Sequence, residues 1–307
     1  MQTITLGDVE ITRIVEWQGP VAPASAVFPD TDPEKWARNA SWLSPDFWDP
    51  ETGDYLAHVQ TWVLRSAGRT ILVDTGIGND KERPRMPFWS HLNGDFLDRL
   101  ATQADVRPED VDLVVNTHVH TDHVGWNTRL QDGAWVPAFP RATYLIPRAD
   151  FDYWNPRNGI PKHGSFGNVN ADRGNRHMFE DSVDPVHRSG QALLWEGGHR
   201  IDGALALEPA PGHTPGSSVL RLTSGTDRAL FVGDLLHSPL QITEPDEEPC
   251  LSEDPRAATA TRRRYLEQAA GTNSLVFPAH LPGHGAAEIG RQGTTGFSIK
   301  KWAPFTP

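Results

Sequence analysis

Six consecutive residues of this chain include four side chains of the metal-binding kind: His118, His120, Asp122 and His123, in Thr117-His118-Val119-His120-Thr121-Asp122-His123. The run follows Asp112 to Asn116, which reads as a short buried strand. Alternation along an extended chain puts His118 and His120 on one side, and the turn that follows carries Asp122 and His123 to a neighbouring point. Crowding these groups together is unfavourable unless something offsets their desolvation. A metal ion does so, because neutral imidazole and carboxylate are natural donors to it. A cluster of surface histidines is the competing explanation. The apolar or tight flanks, Val111 to Val115 and Val124-Gly125, speak against it.

This run alone does not complete two sites, but three later residues sit where a strand ends or turns. His213 lies in the constrained turn Pro211-Gly212-His213-Thr214-Pro215-Gly216. Asp234 follows the apolar Phe231-Val232-Gly233, and His280 follows Val276-Phe277-Pro278-Ala279. His284 competes with His280, and His280 is preferred because it follows the apolar strand directly. His237 comes three residues after Asp234 and can overhang the same point, as a proton donor, a substrate contact or a bystander. His58, His91, His163, His177, His187 and His199 lack such context and are expected on the surface or in lid segments.

The strand and helix pattern repeats. From the N-terminus to about residue 125, and again from about 143 to 290, apolar strands precede a helix and a histidine-bearing turn. In the first half, Ile4 to Trp17, Thr61 to Ser66 and Thr70 to Val73 read as strands, the last two around a Gly68-Arg69 turn, and a helix opens near Gly94-Asp95. In the second, Ala142 to Ile146, Leu205 to Glu208, Ser218 to Leu222, Ala229 to Val232 and Leu275 to Phe277 read as strands. Ala257 to Ala270 reads as a helix, with Ser252 or Asp254 as cap and Pro255 early. Two strand-rich layers with helices outside each predict a single αββα sandwich of two mixed sheets over residues 1–307. The stretches near 18–56, 78–92 and 151–190 are rich in Trp, Pro, Gly and Asn, and read as irregular lid-like loops. Trp126, Phe151, Tyr153 and Trp154 are candidates for an apolar pocket wall.

Charge and composition narrow the partners. The formal net charge is −12, with no basic face of the kind a nucleic-acid binder carries. The one basic run, Arg262-Arg263-Arg264, reads as a solvated helix face. No apolar run approaches the roughly 18 residues of a spanning helix, and the first residues carry no targeting signal. The single cysteine, Cys250, rules out an intrachain disulfide and suits a reducing compartment, so a cytoplasmic location is expected. The expected partner is a small-molecule substrate, with no nucleic acid and no membrane; monomer and homodimer are both left open.

The order His118-x-His120-x-Asp122-His123, His213, Asp234, His280 resembles the metallo-β-lactamase superfamily, and Asp74 in Val73-Asp74-Thr75-Gly76 matches that family's first motif. The resemblance runs from about residue 5 to 290. It implies the αββα fold and two divalent metal ions at the sandwich edge, zinc first, with manganese, iron or cobalt as alternatives. His118, His120 and His213 would hold one ion and Asp122, His123 and His280 the other, with Asp234 bridging and Asp74 fixing the histidine loop. The Asp122-His123 pair and Asp234 set the chain apart from true β-lactamases. They resemble lactonases, glyoxalase II-like thioesterases and methyl parathion hydrolase-like enzymes.

The implied chemistry is hydrolysis of a lactone, ester or phosphotriester. A water bridging two cations loses its proton near neutrality and attacks the carbonyl or phosphoryl centre. Asp122 would orient the attacking oxygen, and His237 would serve the leaving group, where the similar acyl-homoserine lactonases commonly place a tyrosine. Rival readings are a glyoxalase II-like thioesterase, an iron-dependent sulfur dioxygenase on the same fold and a metal-free binding protein. Thioesterases of that kind usually add a C-terminal helical domain, whereas about 27 residues follow His280 here.

Overall fold

The computed structural model describes residues 2–160 and 177–305. Its first sheet runs β1 (Thr3–Leu6), β2 (Val9–Pro23), β3 (Asp54–Ser66), β4 (Arg69–Val73), β5 (Leu113–Val115), β8 (Thr143–Pro147) and β9 (Ala192–Trp195). The second runs β10 (His199–Arg200), β11 (Leu205–Pro209), β12 (Ser218–Ser224), β13 (Asp227–Gly233), β14 (Leu275–Pro278), β15 (Ala287–Gln292) and β16 (Gly296–Trp302). A separate ribbon pairs β6 (Thr128–Gln131) with β7 (Ala134–Pro137) across Asp132-Gly133, both at positive φ as a tight hairpin requires.

Both sheets are mixed, and the expected repeat is visible in them. β1 to β4 pair antiparallel, and β5 adds parallel to β4. β10 to β13 likewise pair antiparallel, and β14 adds parallel to β13. These two parallel steps need crossovers, and each contains a helix: Phe96–Ala104 in the first half and Pro255–Thr272 in the second. Asp254 caps the second helix, accepting from Ala257 N at 3.0 Å.

Side-chain alternation builds the layers. Ile71 and Val73 of β4 face the second sheet, meeting Phe231 of β13 and Phe277 of β14, while Leu72 between them faces the Phe96–Ala104 side. In β13, Ala229 and Phe231 point inward, and Leu230 and Val232 pack with Tyr265 and Leu266 of the long helix. Trp62 stands between the sheets, edge-on to Phe277 at 5.0 Å between ring centroids. The layers are helix, sheet, sheet, helix, as the sequence predicts.

Four expectations need correction. Residues 18–56 are not an irregular loop. β2 extends to Pro23, β3 starts at Asp54, and three short helices lie between them: Ala24–Val27, Pro33–Arg38 and Ala40–Leu43. They bury Val27, Phe28, Trp36 and Leu43 in a small core of their own, and that burial fixes them where propensity alone would not. Arg262 is not solvated. It is buried, donating to Leu235 O and Pro245 O at 2.8 Å each and to Glu248, while Arg263 pairs with Asp246 at the surface. The turn between β3 and β4 is Ala67-Gly68, both at positive φ, one residue before the expected place. Residues 78–92 are irregular apart from a 3-10 turn at Pro87–Trp89. The described part of 151–190, by contrast, is not irregular: it holds the end of the Arg148–Trp154 helix, a 3-10 turn at Pro156–Asn158, a π-helical turn at Phe179–Val183 and a helix at Asp184–Arg188. His163 lies outside the described residues.

Gly125 tests how tightly the histidine loop is seated. A Cβ there would sit 1.9 Å from the Ile77 carbonyl, which is backbone and has little freedom to move. Gly125→Ala is expected to cost about 3 kcal/mol or more. Gly203→Ala, facing open space, should change stability by less than about 1 kcal/mol. Thermal unfolding of both variants is the check, and equal midpoints would contradict the close packing.

Candidate metal centre

Strand ends build the site. Asp74 follows β4, and His118 to His123 follow β5, its parallel neighbour. Asp234 follows β13, and His280 follows the parallel β14. His213 follows β11, which runs in the same direction as β13. All these side chains therefore leave the C-terminal ends of strands on one edge of the sandwich.

The seven ligand-type residues converge in two groups: His118, His120, His213 and Asp234 in one, and Asp122, His123 and His280 in the other. In the first, His120 Nδ1 lies 3.1 Å from His118 Nε2 and 2.9 Å from His213 Nε2. In the second, His123 Nε2 and His280 Nε2 are 3.2 Å apart, and Asp122 Oδ2 is 3.4 Å from His280 Nε2. Asp234 reaches both groups. Its Oδ2 is 3.2 Å from His213 Nε2 and 3.8 Å from His118 Nε2, and its Oδ1 is 3.2 Å from His123 Nε2 and 3.0 Å from His280 Nε2.

The outer nitrogens set the tautomers. His280 Nδ1 faces the His58 carbonyl at 2.8 Å and His123 Nδ1 faces Asp74 Oδ2 at 3.0 Å; both partners only accept, so both Nδ1 atoms carry the hydrogen. Thr117 Oγ1 donates to Asp74 Oδ2, which leaves its lone pairs to accept from His118 Nδ1 at 3.1 Å. In the neutral rings, therefore, three Nε2 lone pairs point inward. Two of them, on His123 and His280, face each other with no hydrogen between them. Asp234 Oδ1, beside that pair, is buried without a hydrogen bond. A cation among these atoms satisfies all of them, so the donor set fits two ions of the zinc type, whose ligand nitrogens lie about 2.0–2.1 Å from the metal.

The electrostatics agree with this. Burial, helped by neighbouring imidazoles, holds His118 and His120 well below the usual histidine range. Burial also opposes the charged forms of His123 and His280, but Asp234 and Asp122 override it and raise both. Asp234 itself is held well below the usual carboxylate range against its burial, by His123, His280 and His237. The centre calls for positive charge wherever the carboxylates face it.

A cavity of about 130 Å³ opens onto the cluster. Its walls are Val21, Val27, Ala57, Val59, Trp89 and Leu251, joined by Met86 and Arg85 from the 78–92 loop. The expected wall residues are elsewhere: Trp126, Phe151, Tyr153 and Trp154 are buried in the core between the first sheet and its helices. Of these, Trp154 touches the site's edge, with its ring 5.3 Å from that of His120. His237 does line the cavity. It is buried, its Nε2 lies 3.2 Å from Asp234 Oδ2, and neither ring nitrogen makes a hydrogen bond.

Among the other histidines, His284 bonds Phe305 O and stacks on Trp302, outside both groups. His58, expected at the surface, is half-buried in β3, and burial pushes its pKa down to about 4. His91 and His187 are exposed and His177 and His199 partly so, as expected.

Sequence reading missed the supports behind the cluster. Glu16 occupies a bulge in β2 and accepts from Ile77 N, Gly78 N and Trp126 Nε1 at 2.6–3.0 Å, which pins the turn after Asp74. Arg83 and the fully buried Lys81 anchor the cavity loop on Asp181, with Lys81 Nζ 3.7 Å from the centre of the Trp135 ring. Burial pushes the Lys81 pKa down to about 7. Neither support follows a strand end, the pattern that marks the inner residues.

Residues 55–280 match the metallo-β-lactamase superfamily, and the chain belongs to it. It is 31% identical over 218 residues to metallo-β-lactamase domain-containing protein 1 of Mus musculus, covering 70% of this chain and 59% of that protein. It is 26% identical to cytochrome P450 monooxygenase mpaDE of Penicillium roqueforti (strain FM164) over 62% of this chain, spanning 24% of that protein's length. The N-acyl homoserine lactonase of Bacillus cereus is 24% identical over 72% of this chain and 80% of its own. Among solved structures, hydrolase AbOPH of the β-lactamase superfamily superposes with a TM-score of 0.79 at 24% identity, covering 99% of this chain and 96% of that one. The dizinc quorum-quenching lactonase AidC gives 0.74 at 20% identity, covering 97% and 95%. No helix among the described residues is long and apolar enough to cross a membrane.

Because ions would bind the folded cluster and not the unfolded chain, chelation should destabilise the protein. A free-metal concentration one hundred times the dissociation constant is worth about 2.7 kcal/mol. Removing the metal should lower the melting midpoint by roughly 4 °C for each ion lost, and zinc should restore it. An unchanged midpoint in chelator would contradict a metal role for the cluster.

Proposed function

We propose that this chain is a dinuclear metal-dependent hydrolase of a small lactone, ester or phosphotriester with an apolar substituent. The observation that carries the reading is the pair of imidazole groups, lone pairs inward, that share the carboxylate of Asp234. His118 and His213 through Nε2 and His120 through Nδ1 would hold one ion. Asp122, His123 and His280 would hold the other, with Asp234 taking both. When bound, such a pair supplies a hydroxide at neutral pH and polarises the substrate oxygen. Zinc fits the nitrogen-rich donors, and AidC, of similar fold, is a dizinc enzyme.

The chain's own residues do the rest. Asp74 and the His58 carbonyl hold the ligand rings in one tautomer, so no reorientation is needed during turnover. Val21, Val59, Trp89 and Leu251 receive the apolar part of the substrate and exclude water from it. Asp122 is placed to orient the attacking oxygen. His237 faces the cavity with its backbone fixed, since Tyr55 Oη donates to its carbonyl at 2.7 Å and its N–H donates to Gln241 at 2.8 Å. Burial lowers its pKa, so it would be neutral and offer its N–H as a hydrogen bond to the oxygen that gains charge as the leaving group departs.

Two experiments test this. Zinc-loaded protein is assayed against lactones, aryl esters, thioesters and phosphotriesters; hydrolysis is expected for at least one class of oxygen ester or phosphotriester. Preference for thioesters, or oxygen uptake on a persulfide with a single iron bound, would replace the reading with one of its rivals. His237→Ala should keep its metal and lose roughly 10²-fold to 10⁴-fold in rate on an alkyl lactone. The loss should be much smaller on a nitrophenyl ester, whose leaving group carries its charge without that hydrogen bond. Equal losses on both would place His237 in binding or structure.

A further inference from the structure

Asp150 is completely buried, and the mechanism above does not use it. It lies in the first turn of the Arg148–Trp154 helix, directly after β8. Its Oδ2 accepts from Val119 N at 2.7 Å, and Val119 is the residue between His118 and His120. The same oxygen accepts from Thr214 Oγ1 at 2.8 Å, and Oδ1 accepts from Gly216 N at 2.6 Å, both in the turn that carries His213. Gly216 is shaped for this contact, because a Cβ there would lie 2.7 Å from Asp150 Oδ1. Trp154, one turn further along the helix, meets the His120 ring.

Three of the proposed ligands thus come from two loops, one after β5 in the first sheet and one after β11 in the second. Asp150 bonds to both loops. It bonds to none of Asp122, His123 or His280; Asp74 supports His123, and the His58 carbonyl supports His280. We propose that Asp150 is a positioning residue for the His118–His120–His213 metal site alone, fixing the distance between the two loops that form it. The inference rests on the dinuclear reading above.

Asparagine at this position keeps the shape but has one accepting oxygen. Its amide nitrogen would confront the N–H of either Val119 or Gly216, so one loop must shift. Loss of such an outer partner typically costs 10-fold to 100-fold in metal affinity. The proposal differs from a general structural role in being site-selective, and single-site backgrounds separate the two. In His280→Ala, which damages the second site, adding Asp150→Asn should weaken zinc binding by roughly 10-fold to 100-fold in a chelator competition. In His213→Ala, which damages the first, the same change should alter zinc affinity by less than about 2-fold. Thr214→Val, which removes only the hydroxyl bond, should reproduce the selective loss in milder form and serves if Asp150→Asn does not fold. Equal losses in both backgrounds, or no loss in either, would overturn the proposal. If neither background binds zinc while the parent chain also binds none, the dinuclear reading itself fails.

Discussion

The carboxylate of Asp234 stands between two groups of imidazoles whose lone pairs are turned toward it, and the rest of the site follows from that arrangement. Such a cluster repels itself. In the neutral rings that a metal requires, His123 Nε2 and His280 Nε2 stand 3.2 Å apart with their hydrogens on the far sides of the rings. A cation suits such a cluster, and the backbone around it is too rigid to relax away. The rigidity comes from placement at strand ends. β4 with β5, and β13 with β14, deliver Asp74, the His118–His123 run, Asp234 and His280 from parallel pairs anchored in the inter-sheet core.

The second layer of contacts explains why so many buried polar groups sit behind the cluster. Asp74 at φ 57 holds an uncommon backbone conformation while its oxygens take Thr117 N, Thr117 Oγ1 and His123 Nδ1. Glu16 secures the turn that follows it, and Asp150 joins the two loops of the first group. The cavity wall is built differently: Val21, Ala57 and Val59 come from β2 and β3, Val27 from a short helix, and Arg85, Met86 and Trp89 from a loop. Its loop is held by the Lys81–Arg83–Asp181 network, not by a sheet.

What was legible in the sequence was whatever follows a strand. The His118–His123 run, Asp234 and His280 each come after an apolar segment with clear periodicity, so their convergence could be read from one chain. The core was legible for the same reason: Ile71, Leu72 and Val73 alternate between two apolar environments. Residues 18–56 were not, because their short helices exist through burial of Phe28, Trp36 and Leu43 and not through local pattern. Arg262 reads as solvated in a run of three arginines; only the fold brings Leu235 O and Pro245 O to it. The aromatics near His123 suggested a pocket wall, yet they fill the core under the first sheet, and the wall comes from segments distant in sequence. Asp150 carries no motif of its own, since its partners are two backbone amides and a hydroxyl.

The most direct test of this account is to count and place the ions. Elemental analysis of protein purified without chelator, combined with anomalous diffraction at the metal edge, reads both. The account predicts two ions per chain, one against each oxygen of Asp234, with the Nε2 atoms of His123 and His280 on the same ion. A single ion per chain, or two ions with Asp234 bound to only one, would contradict it.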